Sequence, residues 1–354
     1  MGILVFIIIL AILVLVHEFG HFIAAKKSGV KVEEFGFGFP PRIFGIKKGE
    51  TLYSINAIPL GGFVKLYGEE YREHVSAKLK KKAFSHKKPY IKAFIIIAGV
   101  IGNFLLGWGL ISFLFTQGIP TPTNKVVVEA VQQGTPASKA GLKEKDIISK
   151  ISYASQIYPI TAMTNLTDIA KKFSGQKLLL TVNRNGKQIM LDIVPRSNPP
   201  AGQGPLGIVI SQPFEEKKYS WYQAPIYGLI EAARITETIV TELGKTLFAF
   251  ITFKKTQIQV AGPVGIAQYT GQAIKLGKNA VLELLALLSL NLAVVNILPF
   301  PALDGGRLIF VLYEWITKRK VNQTLEQYLN LIGIIILLTL AALITVNDII
   351  RIYK

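Results

Sequence analysis

His17 and His21 flank Glu18 in the stretch LVLVHEFGHFIAAKK, residues 13–27, whose other members before Lys26 are apolar or small. On an α-helix, a four-residue separation leaves two side chains about 40° apart and roughly 6 Å along the axis, on one face. This is the H-E-x-x-H spacing, in which two imidazoles ligate zinc and the glutamate between them serves as general base toward water on the metal. A charged side chain at the centre of a membrane helix costs about 2.5–3.5 kcal/mol on insertion scales, so ionisable groups there mark function. The competing readings are polar residues packed into a helix bundle, or a soluble core helix that only looks like a span. The chain holds four histidines, and two of them fall here around a glutamate.

The rest of the composition says what must position these groups. In 354 residues, 50% are hydrophobic and none is cysteine, and the mean hydropathy of +0.40 is that of a membrane protein. Without cysteine there are no disulfides and no thiolate ligands, so a metal must be held by His, Asp or Glu. The net charge of +18 would suggest nucleic acid in a soluble protein. Here lysines crowd the loops beside apolar segments, as topology control and contact with anionic lipid require, and no nucleic-acid recognition motif is present. Residues 3–25, 91–117, 281–300 and 329–350 each carry about twenty mainly apolar residues, enough to cross a hydrocarbon core of about 30 Å. The first segment lacks the basic start and small-residue cleavage site of a secretory signal, so it is expected to be retained.

Lysine-rich stretches at 26–92 and around Arg307 and residues 318–320 put those two loops in the cytoplasm. Both termini and the long segment 118–280 then face outward. If the first helix enters from outside, His17 lies about 24 Å down its axis, past the midplane. The third span runs inward and meets Asp304 at its inner end, just before Gly305, Gly306 and Arg307, at the same depth. An aspartate before two glycines is also an ordinary turn residue. With His17 and His21 at equal depth, however, Asp304 is the leading third ligand, and three protein ligands with one open position make a catalytic zinc site.

HEFGH in the first span and NILPFPALDGG ending the third, with a PDZ-like insert between the second and third spans, resemble the bacterial site-2 proteases of the regulator-of-sigma-E group. The resemblance covers nearly the whole chain. It implies an intramembrane zinc metalloprotease in which His17, His21 and Asp304 bind Zn2+ and Glu18 is the catalytic base. It also implies a substrate-touching asparagine at Asn296, for which an inter-helix hydrogen bond is the plain alternative. Asn291 fits that plain alternative better. Implied substrates are transmembrane segments of membrane proteins, either anti-sigma-factor stubs or remnant signal peptides left after a first cut outside, with the inner membrane as location.

Residues 32–67 alternate with period two between Pro and Gly pairs and read as hairpins. They resemble the family's membrane-reentrant β-loop, whose exposed edge can draw a substrate helix out as a strand. A purely structural β unit is the alternative. Residues 124–212 read as one soluble PDZ domain, with a hairpin around Asn185-Gly186. In GPLGIVI, residues 204–210, Leu206, Gly207 and Ile208 would form the carboxylate loop and binding strand of a circularly permuted PDZ. The domain would either capture free C-termini or screen substrates by bulk. Between it and the third span, residues 213–280 read as amphipathic interfacial helices, with Glu231, Arg234, Thr238, Thr241 and Lys245 forming one polar stripe. GPVGIA at 262–267 resembles another family motif, and the residues alone assign it no chemistry.

The expected architecture is therefore a polytopic α-helical membrane protein with four transmembrane helices (3–25, 91–117, 281–300, 329–350). A β-hairpin region at 26–90 and a loop carrying the LDG motif at 301–328 lie on the cytoplasmic side, and one PDZ is inserted. Two rival functions remain open. A membrane-anchored zinc protease acting on soluble peptides would need its motif in water. A catalytically inactive PDZ membrane adaptor would not need His17, Glu18, His21 and Asp304 together.

Overall fold

The computed structural model describes residues 2–69, 75–200, 202–252, 261–319 and 321–352; Lys320 of the basic stretch 318–320 lies outside them, as do parts of 26–90 and 213–280. The chain divides into two compact units, Met1–Thr116 with Ser220–Lys354, and Gln117–Tyr219.

The first unit begins with α1 (Gly2–Lys27), an uninterrupted apolar helix. Its buried positions Ile9, Leu13, His17, Ala24 and Ala25 follow a helical stripe, while Ile3, Leu4, Ile8, Ile12, Leu15, Phe19 and Ile23 stand exposed on the rest of the surface. A helix with this distribution needs lipid on its outer faces, and it puts the histidines on the face turned to protein. Next come β1 (Val32–Lys48) and β2 (Thr51–Leu66), a single long antiparallel hairpin bent back on itself. Residues 34–37 of β1 pair with 62–65 of β2 on one side and with 52–55 on the other, so four strand segments come from two strands. The distal part exposes Phe39, Ile43, Phe44, Ile46, Ile55 and Ile58, an apolar surface that water disfavours. Then follows α2 (Pro89–Gln117), a second apolar helix.

In the second unit, β3 (Ile119–Pro122) opens the chain path and β10 (Phe214–Lys217) closes it, pairing antiparallel as a ribbon. The compact unit is thus wider than the 124–212 read from sequence, because these flanking strands are too short to show a period. Between them lie β4 (Val126–Val131), α3 (Pro136–Lys139), β5 (Ile147–Tyr153), β6 (Gln156–Pro159), α4 (Met163–Lys172), β7 (Leu178–Arg184), β8 (Lys187–Ile193) and β9 (Ile208–Ser211). The sheet order is β8-β7-β5-β4-β9, with β6 on β5. Val126, Val128, Ile148, Leu166, Leu180 and Val182 belong to its buried core. The turn at Asn185-Gly186 has positive φ at both residues, as the type I′ signal requires.

The first unit resumes with α5 (Ala224–Ile251), α6 (Pro263–Leu276), α7 (Lys278–Ile297), α8 (Asp304–Thr317) and α9 (Gln323–Ile352). Among the described residues, four helices are long and apolar enough to cross a membrane: α1, α2, α7 and α9. The α5 helix turns the small residues Ala224, Gly228 and Ala232 inward, and a Cβ on Gly228 would meet Ser112 of α2. Helix α6 packs against α1, α7 and α9. Its GPVGIA start has a partner in Asp348 of α9, whose Oδ2 accepts from the backbone N–H of Gly262 (2.9 Å) and Gly265 (2.8 Å). A carboxylate borrowed from another helix therefore caps α6. The stretch 301–328, read from sequence as a loop, contains α8. Its apolar residues Ile309, Leu312, Trp315 and Ile316 are exposed and Val311 is buried, an interfacial pattern that a search for full-length spans passes over.

Candidate metal centre

Helix α1 alone cannot close a metal site, so the question is what packs against its histidine stripe. Helix α2 comes very close, because a Cβ on Gly20 would lie 2.2 Å from the Ala98 carbonyl oxygen and one on Gly99 would lie 2.4 Å from His21 Nε2. Only glycine fits at this crossing, as in close helix contacts within membranes. The third side is the turn between α7 and α8. There, Cβ atoms on Gly305 and Gly306 would fall 2.1 Å from the Leu298 carbonyl and 2.3 Å from the Phe300 carbonyl. The two glycines let the first turn of α8 fold onto the end of α7, and this presents Asp304 to α1.

The structure brings His17, His21 and Asp304 together. Asp304 Oδ2 lies 3.0 Å from His17 Nε2 and 3.2 Å from His21 Nε2, and the two Nε2 atoms are 3.2 Å apart. A tetrahedral zinc with bonds of about 2.0–2.1 Å separates its ligand atoms by about 3.3–3.4 Å, so this triangle fits one face of such a site to within a few tenths of an ångström. The buried Oδ2 finds no aligned hydrogen-bond donor. His21 Nδ1 donates to the Ile95 carbonyl at 2.8 Å, which fixes the tautomer that leaves Nε2 bare. A carboxylate oxygen and a bare imidazole nitrogen at van der Waals distance repel unless a cation lies between them, and the donor set suits zinc.

Glu18, His21, Glu69, Asp304 and Arg307 line one cavity, walled on another side by Val64 and Leu66 of β2. A Cβ on Gly62 of β2 would lie 3.4 Å from Glu18 Cγ, so this part of the hairpin runs directly beside the glutamate. Arg307, one turn after Asp304, pairs with Glu69. Lys92 of α2 pairs with Glu314 of α8 at 3.0 Å. The two ion pairs tie α8 to its neighbours, the first of them in the lining of the cavity.

A model of peptidase family M50 matches residues 5–340. The chain belongs to peptidase family M50, the site-2 protease family. It is 32% identical to a Clostridium acetobutylicum protein over 350 residues, covering 99% of this chain and 97% of that one. A Clostridium perfringens protein is 33% identical over 342 residues, with 96% and 95% covered. A Fusobacterium nucleatum protein is 31% identical over 358 residues, with both chains covered completely. All three carry provisional zinc metalloprotease names. Family M50 and the four apolar helices make the protein a multi-pass membrane metalloprotease.

The other residues singled out from sequence fall in two places. Asn296 on α7 has its amide nitrogen 3.5 Å from both ring nitrogens of His17, so it stands beside the candidate ligands. Leu206, Gly207 and Ile208 lie in the second unit. Leu206 is buried in its core, Gly207 has φ +73° with Thr135 packed against it, and Ile208 begins β9, the strand at the end of the sheet. Sequence reading missed Asn103, which is fully buried on α2 with its amide nitrogen 3.3 Å from His17 Nδ1. The available signal was a lone amide inside an apolar span.

Proposed function

We propose that the protein is a zinc-dependent intramembrane endopeptidase that hydrolyses peptide bonds in transmembrane segments of other membrane proteins. The observation that carries this is the convergence of His17, His21 and Asp304 on the protein-facing stripe of an apolar helix, with Glu18 in the same cavity. Bound zinc supplies Lewis-acid polarisation of the scissile carbonyl and acidifies water. His17, His21 and Asp304 would hold it, with Nε2 of both histidines and Oδ2 of the aspartate turned to one another. Glu18 takes the proton from the attacking water and delivers it to the leaving amine.

A helical substrate hides its carbonyls in its own hydrogen bonds and must be unwound before it can be cut. Residues 62–65 of β2 pair with β1 on one side only and run beside Glu18, an edge to which an extended substrate can add as a strand. The exposed apolar tip of the hairpin suits a membrane-dipping loop. Asn296, whose amide lies beside His17, would hold the unwound backbone. In the second unit, β9 is also an edge strand. We read that unit as a PDZ-like domain that screens substrates, with Gly207 and Ile208 at its carboxylate end. The lysine distribution supports an inner-membrane protein with this unit and both termini outside. Anti-sigma-factor stubs or remnant signal peptides, trimmed first by another protease, are the substrates this arrangement suits.

The test is cleavage in liposomes of a transmembrane peptide against a soluble peptide of the same scissile sequence. Cleavage of the embedded peptide that disappears with zinc removal supports the reading. Cleavage of the soluble peptide alone favours an ordinary anchored protease, and no metal-dependent cleavage at all favours an adaptor.

A further inference from the structure

We propose that Asn103 is a positioning residue for zinc binding, its amide oxygen accepting the His17 Nδ1–H so that His17 keeps Nε2 bare for the metal. The inference rests on the metal centre read above and adds a residue outside its ligand set. The two candidate ligand histidines need the same thing: a neutral imidazole that ligates through Nε2 carries its proton on Nδ1, and inside a membrane that proton needs an acceptor. For His21 the acceptor is the Ile95 carbonyl of α2 at 2.8 Å. For His17 two amides reach Nδ1, and the nearer is that of Asn103, also on α2, at 3.3 Å, with Asn296 of α7 at 3.5 Å.

The spacing is consistent. The histidines are four residues apart on α1, and their partners lie eight residues apart on α2, one a backbone carbonyl and the other a side chain. A helical side chain leans toward the N-terminus of its own helix, which brings the Asn103 amide back toward His17. Asn103 has no exposed surface, and its backbone carbonyl accepts from Ser289 Oγ of α7 at 2.7 Å, which ties this turn of α2 to α7. As placed, the nitrogen faces His17 and the buried Oδ1 has no partner. The two ends of a carboxamide are nearly the same shape, and the assignment follows the hydrogen-bond network. With zinc on Nε2 the network demands oxygen toward Nδ1. A nitrogen there would force Nδ1 to accept and put the proton of His17 on the metal side.

The test uses the full-length protein in detergent. Zinc affinity is read by competition with a chelating dye, and site geometry by the visible absorption of cobalt(II) bound in place of zinc. One metal per wild-type chain tests the underlying metal centre, and a wild type that binds none overturns both readings. Given a loaded wild type, Asn103→Leu keeps the bulk and removes the acceptor. It should weaken zinc roughly 10–100-fold and alter the cobalt spectrum at unchanged resistance to proteolysis. Asn103→Asp, which restores an acceptor, should return affinity and spectrum close to wild type. Wild-type affinity in Asn103→Leu, or equal losses in the Leu and Asp variants, would overturn the proposal. If Asn103→Leu does not fold, Asn103→Ala replaces it with the same two outcomes.

Discussion

Asp304 in the helical unit and Asp146 in the β unit are both carboxylates removed from water, and their surroundings differ completely. Asp146, with no exposed surface, accepts from Arg184 Nε at 2.7 Å, Arg184 Nη2 at 2.7 Å and the Lys143 N–H at 2.9 Å. Its charge is balanced within the protein, and the bidentate fork is the geometry guanidinium offers. Asp304 Oδ2 instead faces two imidazole nitrogens and no aligned donor. A buried carboxylate with a complete set of partners belongs to the fold, whereas one grouped with other electron-pair donors is waiting for a cation from outside the chain.

The contrast can be broken by exchanging consequences. Asp304→Ala should weaken zinc by more than the roughly 100-fold expected for loss of an outer hydrogen-bond partner, because it removes a ligand. The β unit should remain as resistant to hydrogen exchange as in wild type, and normal zinc occupancy would point to another third ligand. Asp146→Ala should do the reverse. It should lower the stability of residues 117–219 by about 2–3 kcal/mol, below the range for a fully buried pair because Arg184 is partly solvated, while zinc content holds. Zinc analysis together with hydrogen exchange on the full-length chain reads both.

Acid sharpens the same comparison. Burial alone would raise the Asp146 carboxyl, but the Arg184 guanidinium and the Lys143 N–H hold it below the usual carboxylate range. A depressed value means the folded state binds fewer protons than the unfolded one. The pair's stabilisation is then present above the unfolded value of about 3.9 and is lost as pH falls through the lower folded value. Opening of the β unit should increase below about pH 4, and Asp146→Asn should flatten that part of the profile. A wild-type profile identical to that of the variant would remove Asp146 from the stability of the unit. The smallest effect concerns Asp348. Asp348→Ala removes the cap shared by Gly262 and Gly265 and should cost about 1–2 kcal/mol. Exchange should rise in the first turn of α6 with zinc affinity unchanged, and no change there would mean that the cap is dispensable.

How much of this was legible beforehand follows from how local each signal is. HEFGH is written in five consecutive residues, and its charges stand out because everything around them is apolar. Asp304 could be paired with it because four spans fix a depth. Asn103 could not be distinguished from any polar residue in a span, since its role depends on the crossing at Gly20 and Gly99. Asp348 and Gly262 are 86 positions apart, which no periodicity connects. The alternation in residues 32–67 showed strands, but pairing on both sides of residues 34–37 depends on a bend in the hairpin. Helix α8 was hidden by the basic residues after it, which draw the eye to topology. The strands β3 and β10 are four residues each, below the length at which a period can be read.

Glu18→Gln separates binding from chemistry, and the measurement is zinc content and cleavage of a membrane-embedded peptide on the same liposome preparation of wild type and variant. The amide keeps the shape of the side chain and cannot take a proton from water. The variant should hold one zinc per chain, as wild type does, and lose turnover by roughly 10²–10⁴-fold. Turnover close to wild type with zinc bound would contradict Glu18 as the base, and cleavage by a zinc-free wild type would contradict the metal centre itself.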